Sequence, residues 1–312
     1  MIVIPCFNEE NTLPAVLETI PKQIPGVSEI ETVVVDDGST DKTVEVAKRY
    51  NVDHVVSHVG NKGLAQAFAT GIQTALEAGA DIVVNTDGDN QYPQQSIPEL
   101  IKPIMDGKAD IVIGDRRTKT IKHFGPTKKI LQFFGSWVVR KASGTKIPDA
   151  ASGFRAYSRE AVLNLNIVTR FSYCTETIIQ AGKRRISVTH VPVKTNPKTR
   201  ESRLFNSTAQ HVSESAKTII RTYAMYEALR LFMFAGGLFV LIGVGGIGRF
   251  LYYFFSSPGG ASGHIQSLVI SGALLVVGFQ LMMIGLLSDL VSINRKLIED
   301  ALYRLKKIEL KK

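Results

Sequence analysis

The stretch Ile82-Val83-Val84-Asn85-Thr86-Asp87-Gly88-Asp89-Asn90-Gln91 decides the fold of this chain. Its apolar first half is typical of a buried strand, and its second half places two carboxylates, spaced by one glycine, where that strand ends. Carboxylate oxygens are the ligands that hard divalent cations prefer, and Mg²⁺ often bridges them to the phosphates of a substrate. Acidic turns are more often solvated or cap a helix, so this pair needs support from elsewhere in the chain.

A second apolar stretch ends in the same way. Val33-Val34-Val35 leads directly into Asp36-Asp37-Gly38-Ser39-Thr40-Asp41. Ligands of open α/β sheets bind at the carboxyl ends of the strands. Two strand ends with clustered carboxylates therefore indicate a site for a nucleotide and a metal at one edge of a sheet.

Strand-like and helix-like patterns alternate through residues 1–115, which favours an α/β fold with a mainly parallel sheet and helices on both faces. The predicted strands are residues 30–35, 82–85, 111–113 and 186–193, and the predicted helices are residues 11–20, 41–49, 63–78 and 128–142. Ser39-Thr40-Asp41 is a candidate N-cap for the second of these helices.

Taken in order, these motifs resemble those of the family 2 glycosyltransferases. Val3-Ile4-Pro5-Cys6-Phe7-Asn8-Glu9-Glu10 resembles the first strand and loop of that family, with Phe7 in place of the usual tyrosine. Asp149-Ala150-Ala151-Ser152-Gly153-Phe154-Arg155 resembles a signature of the branch that includes dolichyl-phosphate mannose synthases and undecaprenyl-phosphate sugar transferases. The resemblance covers residues 1–205 and implies a Rossmann-like GT-A catalytic domain that uses a nucleotide-activated sugar.

The resemblance also implies roles for individual residues. The expected catalytic residues are Asp87, Asp89 and Arg116, and the expected ligands of Mg²⁺ or Mn²⁺ are Asp87 and Asp89. The expected nucleotide-sugar site comprises Pro5, Phe7, Glu9, Val35, Asp37, Asp87, Gly88, Asp89, Gln91, Arg116 and Arg203. Asp37 would accept a hydrogen bond from a base N–H and Glu9 one from a ribose hydroxyl, although either carboxylate could equally cap a loop.

An acceptor-phosphate site is expected at Lys129, Ser136, Arg140 and Arg155. The first three are spaced seven and four apart and can share one face of a helix, which would otherwise be a solvated basic face. A structural role is the alternative for Arg155. Arg203 stands where the family usually has lysine, and the arginine expected six residues earlier is replaced by Pro197, with Lys198 and Arg200 as alternative cations.

The charge balance limits the classes of partner. The 312 residues include 37 Lys and Arg against 28 Asp and Glu, a formal net charge of +9. Such an excess suits nucleic acid, an anionic membrane or a phosphate-bearing substrate. Nucleic acid is not expected, because no compact basic run is interleaved with aromatic residues. The two distant cysteines, Cys6 and Cys174, suggest neither a zinc site nor a disulfide framework, which fits a reducing, cytosolic domain.

The chain becomes strongly apolar after the predicted catalytic domain. Residues 231–248 and 267–287 are each long enough to span a membrane, with a pair of buried soluble helices as the alternative. The connecting loop, residues 256–264, carries no Lys or Arg whereas the flanks are basic, so both termini are expected in the cytosol. Gly243-Val244-Gly245-Gly246-Ile247-Gly248 fits a dinucleotide fingerprint but lacks its strand, so close helix packing is the better interpretation.

We therefore predict four regions. These are a catalytic domain (1–205), an amphipathic juxtamembrane helix (206–229), two transmembrane helices (230–288, about 230–255 and 265–288) and a basic cytosolic tail (289–312). A homo-oligomer formed through the transmembrane helices is a further expectation.

The predicted reaction is inverting transfer of one sugar from GDP-mannose or a UDP-hexose to dolichyl or undecaprenyl phosphate at the cytosolic face of the membrane. A phosphate monoester is largely dianionic at neutral pH, since its second pKa is about 6, and needs no general base. A hydroxyl acceptor would need one, and Glu176 would be the candidate.

Two alternatives stay open at this point. One is a membrane glycosyltransferase acting on a hydroxyl acceptor in polysaccharide synthesis, which would normally carry a Q-x-x-R-W motif. The only tryptophan, Trp137, stands instead in Gly135-Ser136-Trp137-Val138. The other is a non-catalytic membrane scaffold that binds a sugar nucleotide, against which the two D-x-D carboxylates argue.

Overall fold

The structure, a computed structural model, describes residues 1–117, 126–168, 173–197, 208–256 and 265–310. It does not describe the side chains of residues 126–134, or most of those between 208 and 226. The chain divides into two compact units. The first comprises Met1–Thr222 with Leu302–Lys312, and the second comprises Tyr223–Ala301.

The first unit is built on a seven-stranded sheet with the strand order β3-β2-β1-β4-β6-β5-β7. The strands are β1 (Ile2–Cys6), β2 (Thr32–Asp36), β3 (His54–Ser57), β4 (Ile82–Asn85), β5 (Ile111–Asp115), β6 (Arg155–Ser158) and β7 (Val188–Pro192). All neighbouring strands pair in parallel except at β6, which is antiparallel to both β4 and β5. The predicted α/β fold with a mainly parallel sheet is confirmed.

Strands β3 and β6 were not among the predicted strands. β3 lies at the edge of the sheet and is only partly buried, so it lacks the apolar run of a central strand. β6 reads Arg-Ala-Tyr-Ser and is nevertheless almost entirely buried. Its register places Arg155 opposite Asn85 at the end of β4, which brings the segment that precedes β6 to the carboxyl edge of the parallel strands.

Helices cover both faces of the sheet. They are α1 (Leu13–Thr19), α2 (Thr43–Arg49), α3 (Leu64–Glu77), α4 (Ile97–Met105), α5 (Pro126–Ser143), α6 (Arg159–Asn164) and α7 (Tyr173–Lys183). The four predicted helices are present, with ends displaced by up to two residues. Asp41 stabilises the start of α2, because its Oδ1 accepts a hydrogen bond from the N–H of Thr43 at 3.0 Å.

The core lies between the sheet and these helices. Val3, Ile4, Val33, Val34 and Val83 are fully buried in three adjacent strands, as expected for parallel strands covered on both faces. Helix α3 crosses β1 and β2 closely at Gly71, where any Cβ would overlap the side chain of Val3. This close approach fixes the height of the strand ends that carry the site.

The second unit consists of two long helices. Helix α8 (Thr208–Ser256) enters it and kinks at Glu227, whose φ of −134° is not helical, and α9 is Ile265–Glu309. Glu227–Ser256 and Ile265–Glu309 are both long and apolar enough to cross a membrane. Most residues in these apolar stretches are exposed, unlike those of a buried soluble helix pair.

The two helices of this unit pack through small residues. The buried residues of α9 recur at every seventh position and are Ser271, Gly278, Gly285, Ser292 and Glu299. A Cβ on Gly236 of α8 would lie 2.6 Å from the carbonyl oxygen of Gly278, and one on Gly246 would overlap Ser271. A seven-residue period matches a left-handed crossing of two helices. The helix-packing interpretation is therefore confirmed for Gly246 and its neighbour Gly243, which packs against Leu275.

Candidate active site

Four loops meet at one edge of the sheet. β1, β2, β4 and β5 all point the same way, so their carboxyl ends lie side by side. The loop after β4 packs directly on the loop after β1. A Cβ on Gly88 would lie 2.9 Å from Sγ of the buried Cys6 and 3.3 Å from Cγ of Glu9. Glycine at position 88 therefore permits the close packing of the turn that carries Asp87 and Asp89.

Asp87 faces the segment that precedes β6. A Cβ on Gly153 would lie 2.9 Å from both carboxylate oxygens of Asp87 and 3.1 Å from the hydroxyl of Tyr173. Hydrogen bonds hold Gly153 in place. Its N–H donates to the hydroxyl of Tyr92 at 3.0 Å, and its carbonyl accepts from Nδ2 of Asn85 at 3.0 Å. The wall opposite Asp87 is thus formed by hydrogen-bonded backbone at Gly153, beside the hydroxyl of Tyr173.

The conformation of the D-x-D turn is stabilised from two sides. Oδ1 of Asp89 accepts a hydrogen bond from the N–H of Gln91 at 3.0 Å. Asn90 adopts a left-handed conformation with a φ of 57°. Asn196, in the segment after β7, donates its N–H to the carbonyl of Gln91 at 2.9 Å and its Nδ2 to the carbonyl of Asn90 at 3.0 Å. Sequence reasoning missed Asn196, because nothing in its neighbourhood marks it as a partner of this turn.

The negative charge of Asp87 and Asp89 is only partly offset by positive groups of the protein. Burial and the neighbouring Asp89 raise the pKa of Asp87 to about 7, although Arg116 and Arg155 act in the opposite direction. Such a shift indicates that the ionised carboxylate is poorly compensated by the protein alone. A divalent cation at this position would supply the missing charge.

The donor set fits Mg²⁺ or Mn²⁺ bound together with a substrate. Within the described residues, no group of three or more His, Cys, Asp or Glu side chains could hold a metal ion. Mg²⁺ is commonly held by one or two carboxylates and completes its shell with water and substrate phosphates. Asp87 and Asp89 are the residues that would hold the cation here.

Arg116, at the end of β5, forms a buried bidentate ion pair with Asp149. Nε and Nη2 of Arg116 donate to the two carboxylate oxygens at 2.7 and 2.9 Å, and the side chains are 7% and 3% exposed. Burial alone would raise the pKa of Asp149, but the charge and hydrogen bonds of Arg116 hold it below its usual value. A phosphate contact by Arg116 stays a prediction, and would use donors other than these two. Asp149 opens the signature motif, yet its role as the partner of Arg116 was not foreseen.

Asp37 organises the loop between β3 and α3. Its Oδ1 accepts hydrogen bonds from Nδ1 of His58 at 2.7 Å and from the N–H of Lys62 at 2.9 Å, and its Oδ2 accepts from the N–H of Gly63 at 2.8 Å. Nε2 of His58 also contacts Oγ1 of Thr70 at 3.0 Å. Each carboxylate oxygen offers two lone pairs, so Oδ2 of Asp37 keeps one for a base N–H. The structural and the nucleotide-binding interpretations of Asp37 are therefore compatible.

The remaining predicted nucleotide contacts lie in β1, β2 and the loop after β1. Pro5 and Val35 are paired in the sheet register, and Val35 is fully buried, so its backbone is the part that could face a ligand. Glu9 is buried, accepts a hydrogen bond from Oγ1 of Thr12 at 2.5 Å and is close enough to Asp87 to influence its charge. Phe7 is partly buried. Their contacts with a nucleotide stay predictions.

The predicted acceptor residues occupy different environments. Arg155 is completely buried, and its guanidinium donates to the carbonyls of Ser152, Cys174 and Ala150 at 2.7 to 2.9 Å and to Oγ1 of Thr177 at 2.8 Å. These contacts favour the structural alternative for Arg155, and we leave it out of the proposed phosphate site. A buried and an exposed arginine look the same in sequence.

Ser136 is also buried, and its Oγ accepts a hydrogen bond from the N–H of Ala150 at 3.3 Å. This bond joins α5 to the segment that carries Gly153. Arg140 is partly exposed, with Nη1 at 3.4 Å from the carbonyl of Ile147. The side chain of Lys129 and all of Arg203, Lys198 and Arg200 lie outside the described residues.

Glu176 is placed as a structural residue. It is completely buried in α7, and its Oε1 accepts hydrogen bonds from the N–H of Val168 at 3.1 Å and from Nε2 of Gln180 at 3.2 Å. Through the bond to Val168, Glu176 holds the segment before α7 against this helix. The contacts give no support to a role for Glu176 as the base for a hydroxyl acceptor.

Comparisons with known proteins agree with this architecture. A UDP-N-acetylglucosamine–dolichyl-phosphate N-acetylglucosaminyltransferase of Methanococcus voltae is 29% identical over 215 residues, which cover 62% of this chain and 84% of the relative. Glycosyltransferase AglJ of Haloferax volcanii is 27% identical over 301 residues, covering 95% of this chain and 94% of the relative. The second similarity therefore extends through the two apolar helices.

A solved structure shares the fold of the first unit. Glucosyl-3-phosphoglycerate synthase from Mycobacterium tuberculosis, in complex with Mn²⁺, uridine diphosphate and glucosyl-3-phosphoglycerate, matches with a TM-score of 0.53 and 23% identity, covering 72% of this chain and 77% of that chain. The sheet with its strand-end site is thus a Rossmann-like GT-A domain. The model of the family described as Glycosyl transferase family 2 matches residues 1–165, more than half of the chain, and the protein therefore belongs to that family.

Proposed function

We propose that this glycosyltransferase transfers one sugar from a nucleotide sugar to polyprenyl phosphate. The observation that carries the proposal is the contact of Asp87 with Gly153 at the carboxyl edge of the sheet. It joins the D-x-D turn, which suits a metal-bound diphosphate, to the motif that resembles the polyprenyl-phosphate branch of the family. The Methanococcus voltae relative, named for a dolichyl-phosphate acceptor, supports the same assignment.

The donor would lie across the loops that follow β1, β2 and β4. Asp37 keeps one lone pair for the base, and Asp87 and Asp89 would hold Mg²⁺ or Mn²⁺ against the diphosphate. The cation, when bound, neutralises charge that develops on the leaving diphosphate. The nucleotide sugar would be GDP-mannose or a UDP-hexose.

In the reaction, an oxygen of the acceptor phosphate attacks the anomeric carbon of the sugar. The bond from that carbon to the diphosphate oxygen breaks, the configuration inverts and the nucleoside diphosphate leaves with the electron pair. No proton has to be removed, because a phosphate monoester is largely dianionic above its second pKa of about 6. The structural placement of Glu176 fits a reaction without a general base.

The acceptor phosphate needs cations close to the D-x-D turn. Residues 116–148 follow β5 and lead to the segment opposite Asp87, and they contain Lys and Arg but no Asp or Glu. Arg140, on α5 of this stretch, is partly exposed. We assign the acceptor phosphate to this stretch, with Arg140 and Lys129 as its cations and Ser136 as a residue that positions the helix.

The two apolar helices would anchor the catalytic domain at the cytosolic face of the membrane. Two membrane-spanning helices return the chain to the side of the membrane from which it entered, so both ends of the pair would lie on that side. The end of α9 docks within the first unit, where the hydroxyl of Tyr303 donates to Oε1 of Glu160 at 2.6 Å and Nζ of Lys306 donates to the carbonyl of Leu165 at 3.1 Å. This docking supports a position of the C-terminus on the side of the catalytic domain.

A transfer assay tests the proposal. Membranes that contain the protein would be incubated with dolichyl or undecaprenyl phosphate and a panel of labelled nucleotide sugars, and the lipids would then be extracted. We expect label in a phosphate-linked polyprenyl lipid with one of the donors and none without the acceptor. Label that appears only in a polysaccharide would favour the hydroxyl-acceptor alternative and contradict the proposal.

A further inference from the structure

The excess positive charge of this protein is concentrated in one stretch of sequence. Residues 116–148 contain nine Lys and Arg and no Asp or Glu. The whole chain has 37 Lys and Arg against 28 Asp and Glu, so these nine account for the entire excess. Arg116 is paired with Asp149, and the other eight cations have no carboxylate beside them in the sequence of this stretch, a composition that favours anionic partners.

The described end of this stretch forms a groove. It has a volume of about 500 Å³ and is lined by Trp137, Arg140, Lys141, Gly144, Thr145 and Lys146, which we call the Trp137 groove. Helix α5 ends at Ser143, and Gly144 adopts a left-handed conformation with a φ of 73°. The N–H of Gly144 donates to the carbonyl of Arg140 at 2.8 Å. This turn brings Lys146 back beside the end of the helix.

The side chains of the groove combine an indole with ammonium groups. Trp137 is 44% exposed, and Lys141 and Lys146 are exposed. An indole has an apolar ring and a polar N–H, and such rings are enriched at the level of lipid headgroups. Lysine stems lie along apolar surface while their charged ends reach water or phosphate. Clustered Lys and Arg next to a membrane bind anionic lipids.

We propose that the Trp137 groove docks on anionic lipid headgroups of the membrane that anchors the protein, through Trp137, Lys141 and Lys146. Arg140, at the edge of the groove, is left to the acceptor phosphate. The inference rests on the proposed membrane location, but not on the identity of the sugar or of the acceptor. Charge complementarity selects a lipid surface of negative charge over a neutral one. Among the described residues that line the groove, Trp137 is the only aromatic side chain, and one ring is a poor platform for stacking nucleic-acid bases.

A hydrogen bond is one link between this groove and the active site. Oγ of Ser136, adjacent to Trp137, accepts from the N–H of Ala150 at 3.3 Å. Ala150 begins the turn that leads to Gly153, whose α-carbon packs against Asp87. A groove held at the headgroups would therefore hold α5 and the wall of the site at a constant height above the lipid surface.

The composition of the chain provides a direct probe, since Trp137 is its only tryptophan. The full-length protein would be placed in nanodiscs of phosphatidylcholine, with or without phosphatidylglycerol, and the intrinsic fluorescence would be quenched with brominated lipid. We expect a blue-shifted emission and quenching about twofold stronger in the anionic discs, because the lysines would draw the indole to the headgroups. The double variant Lys141→Gln/Lys146→Gln should lose this difference.

A matched control makes the result interpretable. Lys22→Gln/Lys102→Gln removes the same charge from exposed positions outside the groove and should behave like the wild type. Emission of each variant in detergent shows whether the groove is folded. Equal quenching in neutral and anionic discs, or quenching that survives the loss of Lys141 and Lys146, would overturn the proposal. Protection by an RNA oligonucleotide without any effect of lipid charge would also overturn it.

The result is distinguishable from a failure of the proposed function. Fluorescence reports on contact with lipid and requires no turnover. If sugar transfer to polyprenyl phosphate were absent while the charge-dependent quenching was present, only the proposed function would fall. If transfer were present without charge-dependent quenching, only the docking surface would fall.

Discussion

Gly153 lies in direct contact with Asp87. A Cβ at position 153 would be 2.9 Å from both carboxylate oxygens, closer than a carbon can approach without displacing them. Gly153→Ala should therefore push Asp87 away from its position, and a misplacement of this size lowers kcat/KM by about a hundredfold. Steady-state kinetics of sugar transfer would measure the loss. Gly135→Ala is the matched control, because among the described residues outside its own turn of helix a Cβ there meets no atom within 4 Å, and it should keep normal activity. Normal activity of Gly153→Ala would show that the contact between Gly153 and Asp87 does not determine the rate of sugar transfer.

Metal binding should depend on pH through Asp87. Burial and the charge of Asp89 raise the pKa of this carboxyl to about 7, above that of an unfolded chain. The folded protein therefore holds this proton more tightly, so the contribution of Asp87 favours folding at low pH and is lost as the pH rises through about 7. A cation must displace the proton, and its affinity should be about tenfold weaker one pH unit below the pKa than well above it.

Calorimetric titration with Mg²⁺ in the presence of the nucleoside diphosphate, at about pH 6 and about pH 8, would measure this dependence. The rise in melting temperature on addition of Mg²⁺ should be larger at the higher pH. In Asp87→Asn the remaining affinity should be weak and much less sensitive to pH. Equal affinity for Mg²⁺ at both pH values in the wild type would contradict the assignment of Asp87 as a ligand.

The ion pair of Arg116 with Asp149 should be a major contribution to stability. Both groups are buried and the bond is bidentate, so Asp149→Ala leaves a buried guanidinium without its partner. Removal of one member of such a pair lowers the free energy of unfolding by about 3–5 kcal/mol. Urea denaturation would measure the loss. The double variant Arg116→Met/Asp149→Leu should recover much of it, whereas a double variant less stable than Asp149→Ala would contradict the ion-pair explanation.

His58 should position the loop that meets the nucleotide. Its imidazole bridges Asp37 and Thr70, and Asp37 in turn binds the N–H groups of Lys62 and Gly63. His58→Ala should raise KM for the nucleotide sugar about tenfold, which corresponds to about 1.4 kcal/mol, while kcat changes much less. His58→Asn, which can still donate to Asp37, should recover part of the affinity. A fall in kcat at constant KM would place His58 in the chemistry instead.

The sheet and the position of the D-x-D turn could be predicted from the sequence because both depend on local patterns. Apolar runs mark the central strands, and the motif follows one of them directly. β6 could not be predicted in this way, because Arg155 and Ser158 interrupt its apolar character although the strand is buried. Its burial depends on hydrogen bonds from Arg155 to the carbonyl of Cys174 and to Oγ1 of Thr177, which lie 19 and 22 positions further along the chain and which no local pattern records.

The same limit applies to the site. The type and spacing of Asp87 and Asp89 indicated their chemistry, but the contacts that hold the surrounding residues of the site come from elements far apart in the chain. Asn196 reaches the turn across 106 positions to Asn90, and Asp149 reaches Arg116 across 33. The resemblance to the family signature left a phosphate-binding and a structural role open for Arg155, and its burial in the structure favours the structural role. Burial is a property of tertiary packing, so the sequence pattern did not contain it.

The most direct test of the central claim is transfer of labelled sugar to polyprenyl phosphate by purified wild-type protein and by Asp89→Asn, with Mg²⁺ or with excess chelator. We expect labelled lipid only from the wild type with the cation, and a loss of at least about a hundredfold in the variant, since the diphosphate loses a direct partner of its metal. Thermal unfolding of the variant should resemble that of the wild type without metal. Undiminished transfer by Asp89→Asn, or by the wild type in chelator, would contradict the claim.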